Sequence, residues 1–423
     1  MSISVEHSKS QDTSRRSTIA NLDAEKKLVR KIDLYLMPSV FILDLFSYMD
    51  RSNIGLAKIA GMEEDLHLTS HQYYTAVILW IIGYTISAFS FFLPIITFAW
   101  GSVAALIGAV RNKGQPIALI FLLGFFEGFS PAVIFLISTW YRKNEQSKRF
   151  LIFLTAGILS GAFGGRWLFM VEGVTTAGVS LVVHWTLLDY PHSSRGLSPE
   201  ERKLVHQRLL QDGIADQDDP KTPNASIFVL LLKAFSNWRT WVLVPGYMTL
   251  VGAGAISYFY LTLVNDMGYT STTAQYMTAP LYIVSLAAAI PICWFADRKP
   301  HTKGQILAGN MIAGMVFFAL TAGIRNYTAR YVFLCFINMT LWTGNALALS
   351  FATTALASVT RHVRAIMLAW MTSVAALAQL YGATLFPMED SPRYVVGFSI
   401  FGTTFAIGAI CYGLADILFK LYP

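Results

Sequence analysis

The sequence predicts an all-α polytopic membrane protein, and three observations carry that prediction. Of its 423 residues, 54% are hydrophobic and only 13% are charged, against about 25% charged in an ordinary soluble domain. The mean hydropathy is +0.50. The apolar residues form long continuous runs, such as 117–141 and 331–357, with no polar face wide enough to meet water. Continuous runs also exclude a membrane β-barrel, whose strands alternate over about ten residues.

One long polar interruption organises the chain. The stretch 189–239 holds seven Lys/Arg, seven Asp/Glu and Pro191, Pro199, Pro220 and Pro223, the composition of a connector with room for one short surface helix. Four regions follow: a polar cytoplasmic tail (1–33), an N-terminal helix bundle (34–188), a cytoplasmic connector (189–239) and a C-terminal helix bundle (240–423). The net charge of +7 would point to nucleic acid in a soluble chain; here it follows the cytoplasmic loops. Cys293, Cys335 and Cys411 all lie in apolar segments, which argues for small packing residues and against a disulfide framework.

The first apolar run, 34–59, is preceded by Lys26, Lys27, Arg30 and Lys31, so its start is expected in the cytoplasm. Next come 38 residues, 73–110, without a charged side chain. As one helix they would measure about 57 Å against a hydrocarbon thickness of about 30 Å. Two spans without a loop, or one span and a broken segment near Pro94, are the options. The run 117–141 contains Glu127 and Pro131 and ends at Arg142, Lys143, Lys148 and Arg149. The stretch 150–165 is rich in Gly, Ala and Ser, which lets a neighbouring helix approach closely; Arg166 and Glu172 then break the run to Leu188. The second half is regular, with spans expected at 241–264, 276–296, 305–323, 331–358, 365–386 and 394–419. Basic loops recur on one side at Arg298, Lys299 and Lys303 and again at Arg361 and Arg364, with Arg325 and Arg330 an exception on the other side.

Charge in hydrocarbon is costly, so charged residues within spans face a cavity or a partner. Asp44 and Glu127 lie deep in their spans; Glu127 reads as a proton-coupling or helix-locking group, or as a local hydrogen bond to a neighbouring helix. Asp50 and Arg51 read either as a gate or as a pair snorkelling at the interface. Asn338, Asn345 and Gln379 are candidates to line a path, each with a helix–helix hydrogen bond as its alternative. Tyr84, Tyr258, Tyr260, Trp342 and Trp370 offer aromatic surface to a ring-containing or amphipathic anion, or anchor helices. No His, Cys, Asp or Glu grouping has metal-ligand spacing, no phosphate-binding G-x-x-x-x-G-K-[ST] segment is present, and no nucleophile–base pair stands out. No cofactor, nucleic acid or enzymatic activity is therefore expected.

The motifs in order resemble the major facilitator type, and more narrowly the fungal anion:cation symporters of the allantoate, nicotinate and vitamin permease kind. They are Tyr48-Met-Asp-Arg-Ser-Asn-Ile-Gly55, Asp65-Leu-His-Leu68, Leu123-Gly-Phe-Phe-Glu-Gly-Phe-Ser-Pro131, Trp140-Tyr-Arg-Lys-Asn-Glu145 with Lys148-Arg149, Gly161-Ala-Phe-Gly-Gly165, Met267-Gly-Tyr-Thr270, Asp297-Arg298 and Leu385-Phe-Pro-Met-Glu-Asp-Ser-Pro-Arg-Tyr394. The resemblance covers residues 30–420. It implies two six-helix bundles, nominally twelve helices, with alternating access and proton-driven import of a small organic anion by a monomer in the plasma membrane, both termini cytoplasmic. It adds Arg149, Asp297, Arg298 and Arg364 to Asp44, Asp50, Arg51 and Glu127 as coupling or gating candidates.

Departures from the pattern matter too. The basic loop between the family's second and third helices is absent where Phe89 meets Ser90, and the end of the fifth helix is absent where Gly165 meets Arg166. The first half spans 155 residues (34–188) and the second 179 (241–419), so six spans in the first would lack about a span and a loop, and two in-frame losses of about 20 residues each would account for the short first half. Phe351-Ala-Thr-Thr-Ala355 also departs from the family's Trp and paired Asn. A non-transporting paralogue or nutrient sensor of the same fold is the alternative function.

Overall fold

The computed structural model describes residues 23–49, 79, 93–108, 115–160, 175–176, 178–179, 194, 196–214, 226–268, 271–382, 385–386 and 390–422. The joins at Phe89/Ser90 and Gly165/Arg166 lie outside the described residues, as do Asp50, Arg51 and Tyr84. Among those described, eight helices are long and apolar enough to cross a membrane, two before the connector and six after it. The chain is a multi-pass membrane protein whose helical surface meets the lipid bilayer.

Helix α1 (Asp23–Met49) begins well before the first apolar run, inside the stretch expected as a tail. Helices α2 (Leu93–Gly108) and α3 (Gln115–Glu127) pack on each other. Helix α3 stops at Glu127 and α4 (Ser130–Trp140) resumes the same span. The sequence dictates that interruption. Pro131 has no N–H to give the Glu127 carbonyl four residues back, and that carbonyl instead accepts the Phe129 N–H at 2.8 Å. Helix α5 (Gln146–Ser160) closes the described part of the first half.

The connector holds two helices where one was expected. Helix α6 (Pro199–Gln211) starts with a capping box: the Ser198 hydroxyl accepts the Glu201 N–H, and the Glu201 carboxylate accepts the Ser198 N–H, with Pro199 in the first turn. Both reciprocal bonds satisfy amides that the helix itself leaves unpaired. Helix α7 (Ile227–Ser236) is apolar and short.

In the second half, α8 (Trp238–Gly254) runs through a 3-10 turn (Ala255–Phe259) into α9 (Tyr260–Asp266). There follow α10 (Ser271–Arg298), α11 (Lys303–Gly323), α12 (Tyr327–Ala355), α13 (Arg361–Leu377), the single turn α14 (Gln379–Gly382) and α15 (Val395–Leu421). Helix α11 packs along α15 and α12, and α8 along α13 and α15. Phe318 anchors this bundle through ring contacts to Phe398, Phe401 and Phe405.

Arg330, the topological exception, is buried and spends its guanidinium on the carbonyls of Pro392 (2.8 Å), Arg393 (2.6 Å) and Thr321. It staples the loop ahead of α15, so it is no counterexample to a rule about loop charge. The two halves meet where α5 packs on α10 and α12, and α4 on α13 and α12.

Candidate functional site

The junction of the halves on the connector side is built around Asp297. This residue occupies the last turn of α10, where a carboxylate opposes the helix dipole. Its compensation comes from the other half. Asp297 accepts the backbone N–H groups of Ser147 (3.0 Å) and Lys148 (3.1 Å) at the start of α5. One helix end thus caps another, an anion placed on the positive N-terminus of α5.

Lys303, at the first position of α11 and fully buried, lies 3.4 Å from the Asp297 carboxylate. It donates to the Ser350 hydroxyl at 2.6 Å and to the Lys143 carbonyl of the first half. Ser147 donates to Ser350 across the junction (2.8 Å), and Thr353 donates to Gln146 (2.7 Å). Helix α12 supplies Ser350 and Thr353 because its 29 residues give a length of about 43 Å, longer than the hydrocarbon slab. Lys303 ties Asp297 to Ser350 within the second half, and the other contacts join a residue within 143–148 to one within 297–353.

The strut behind this junction is Arg149. Its guanidinium pairs in bidentate fashion with Asp33 of α1 (2.8 and 2.9 Å), donates to the Glu145 carbonyl, and lies 3.9 Å over the Tyr141 ring. Further out, Arg208 of α6, almost wholly buried, bonds both Glu25 (2.7 Å) and Glu145 (2.9 Å). Arg142 pairs with Glu25 at 2.8 Å, and the Lys143 N–H reaches Asp212. Lys31 bridges to Glu201. Burial works to raise the Glu201 carboxyl, but the hydrogen bonds from Lys31 and Ser198 outweigh it and hold that carboxyl below its ordinary value.

A second set of residues lies deeper. Glu127 is fully buried and accepts the Ser47 hydroxyl of α1 at 3.2 Å. Asp44, also buried, lies one turn before Ser47 on α1. The next residue, Tyr48, begins a line of rings across the halves: Tyr48–Trp342 at 6.2 Å, Trp342–Tyr282 at 6.4 Å and Tyr282–Tyr260 at 6.1 Å. Gly157 of α5 makes this approach possible, because a Cβ there would stand 2.9 Å from the Trp342 ring and 3.0 Å from Tyr48.

The remaining expectations divide. Asn338 accepts the Tyr260 hydroxyl and donates to the Leu281 carbonyl, and Asn345 accepts the Tyr247 hydroxyl. Both therefore serve helix–helix hydrogen bonds, Asn338 also adjoining the ring line. Arg364 is buried against the Phe135 ring at 5.5 Å and reaches the Ala357 carbonyl. Arg298 is exposed and stacks on Trp294 of its own helix, away from the junction. Gln379 is half-buried in α14, Trp370 packs on Phe235 of α7, and the side chain of Tyr258 lies outside the described residues. Asp33, Ser147, Lys303 and Ser350 went unpredicted. Their one sequence signal is a carboxylate at a helix C-terminus, Asp297, which asks for a compensating partner.

No group of His, Cys, Asp and Glu able to hold a metal occurs among the described residues. The arrangement is a lockable contact between two helical halves with buried carboxylates inside. The Major Facilitator Superfamily model matches residues 40–383. The chain belongs to that superfamily. It is 28% identical over 414 residues to an uncharacterised transporter of Schizosaccharomyces pombe, covering 90% of this chain and 84% of that one. To the high-affinity nicotinic acid transporter of Saccharomyces cerevisiae it is 25% identical over 408 residues, covering 89% and 74%.

Among solved structures, the proton:xylose symporter XylE aligns at a TM-score of 0.64 with 15% identity, over 92% of this chain and 96% of that chain. The human organic anion transporter MFSD10 aligns at 0.62 with 11% identity, over 90% and 99%. These likenesses show the fold. The chain is thus a secondary transporter of this superfamily, a carrier of a small solute and not an enzyme.

Proposed function

We propose that this transporter imports a small organic anion, a nicotinate-, allantoate- or vitamin-like carboxylate, together with a proton, by alternating access between two six-helix bundles of a monomer. The observation that carries the reading is the buried pair of α1 and α3 polar groups, Ser47 on Glu127 with Asp44 one turn away. A carboxyl held in hydrocarbon is a default proton-relay candidate. The ring line Tyr48–Trp342–Tyr282–Tyr260 supplies flat apolar surface beside it, as a heteroaromatic carboxylate requires. The nicotinic acid transporter among its relatives supports that substrate class.

In this reading the connector side is cytoplasmic, both termini lie there, and the membrane is the plasma membrane. The Asp297–α5 junction is the inner gate, closed here. Regions 34–188 and 240–423 are the two bundles, and 189–239 is the strap between them.

The test is uptake of labelled nicotinate and allantoate by cells or proteoliposomes carrying the full chain. Uptake driven by an inward proton gradient and lost in Glu127→Gln is the expected outcome. Normal membrane insertion with no uptake of any carboxylate or ureide would refute transport and leave the non-transporting paralogue or sensor.

A further inference from the structure

Beside the strut, α1 and the start of α5 line an open groove of about 730 Å³. Its upper wall carries three cations, Arg30, Lys148 and Arg149, against one carboxylate, Asp33. Arg149 and Asp33 neutralise each other. That leaves Arg30 and Lys148 as an excess of two positive charges whose side chains have no ion pair or hydrogen bond among the described residues. The lower wall is apolar and uncovered: Leu34 is 71% exposed and Ile152 46%.

A soluble anion has no use for the lower wall, and an acyl chain none for the upper. A molecule with an anionic head and an apolar tail satisfies both. Basic pockets between membrane helices at the headgroup level recruit acidic lipids in this way. We propose that this groove is a binding site for an anionic glycerophospholipid, its phosphate-bearing head between Arg30 and Lys148 and an acyl chain along Leu34 and Ile152. This rests on the membrane-spanning reading of α1 and α5 but not on the substrate or the direction of transport.

Lys148 gives the site a consequence. Its backbone N–H is one of the two that Asp297 accepts. A headgroup held by its side chain therefore stands on the same helical turn whose amides Asp297 accepts.

The test uses the purified full chain in phosphatidylcholine nanodiscs with and without phosphatidylserine, read by thermal unfolding and by native mass spectrometry of retained lipid. The wild type should unfold at higher temperature with phosphatidylserine and retain it in preference to phosphatidylcholine. Each removed cation weakens the lipid about fivefold, so Arg30→Gln/Lys148→Gln should bind about 25-fold more weakly. The charge-matched Lys299→Gln/Lys420→Gln variant should keep the wild-type response.

Equal loss in the two double variants would overturn the site in favour of general charge attraction. A shift reproduced by inorganic phosphate alone would overturn the lipid in favour of a free anion. Should the double groove variant not fold, the single variants Arg30→Gln and Lys148→Gln, each expected to bind the lipid about fivefold more weakly than Lys299→Gln, decide instead. None of these readouts involves transport, so failed uptake and failed lipid binding remain distinguishable.

Discussion

Asp297→Asn is the most direct probe of the junction. The wild-type carboxylate accepts two N–H groups from α5, at 3.0 and 3.1 Å, and these contacts exist only while the halves are together. Its interaction with Lys303 at 3.4 Å lies within the second half, so it persists in either arrangement and cancels from the comparison. An amide oxygen can replace one of the two acceptors, and only as a neutral group. A bond to a charged acceptor is worth about 1.5–3 kcal/mol net and a neutral one about 1. The substitution therefore costs the closed state about 2 kcal/mol relative to the open one, a shift of about 30-fold in their ratio.

Spin labels at Asn144→Cys and Lys299→Cys, on exposed positions of the two halves, report that ratio as a distance distribution once Cys293, Cys335 and Cys411 are replaced. The wild type should give one short distance, and Asp297→Asn should add a longer population. Identical distributions in two folded proteins would refute the assignment of this contact as the gate.

Other substitutions test neighbouring parts. Gly157→Leu drives a side chain into Trp342 and Tyr48; overpacking of this kind costs about 1–3 kcal/mol, so a lowered unfolding temperature and a larger long-distance population from the same spin labels are expected. Arg208→Ala leaves Glu145 without its cation and Glu25 to Arg142 alone, both carboxylates being partly exposed; a loss of about 2 kcal/mol, below the 3–5 of a fully buried pair, should appear in thermal unfolding.

The Lys31–Glu201 bridge gives a pH dependence. The Glu201 carboxyl is held below its ordinary value of 4.5 in the folded protein. Its contribution is therefore present at neutral pH and lost as pH falls below that value. Protease cleavage of the connector should rise only in that acid range for the wild type, and Glu201→Gln should show the raised cleavage already at pH 7.

The spans after the connector were legible because each is a long apolar run closed by charge, and the six helices there follow those runs. The break at Glu127 was implicit in Glu-Gly-Phe-Ser-Pro, since a proline removes the donor four residues on. Glu127 and Asp44 were visible because burial of a charge in hydrocarbon marks itself. The junction was not legible in the same way. Lys303 reads as one more topological cation beside Arg298 and Lys299, yet it alone of the three is fully buried. Ser147 and Ser350 are ordinary small polar residues until two helices bring them to 2.8 Å. Among the described residues, two of the three groups that Asp297 binds are main-chain amides, which no side-chain pattern reveals.

These contacts converge on one turn of helix. The start of α5 is held by Asp297 from the second half, by Asp33 of α1 through Arg149, and by α6 through Glu145 and Arg208. If the junction opens by moving α5 away from α10, the last two contacts must move with it, since both partners belong to the first half or its strap. Loss of Arg208 should then loosen the helix that presents the Ser147 and Lys148 amides and widen the spin-label distance, even though among the described residues the polar partners of Arg208 are Glu25, Arg142 and Glu145 of the first half. An Arg208→Ala protein with lowered stability and an unchanged distance distribution would separate the strap from the gate and reduce α6 to a tether.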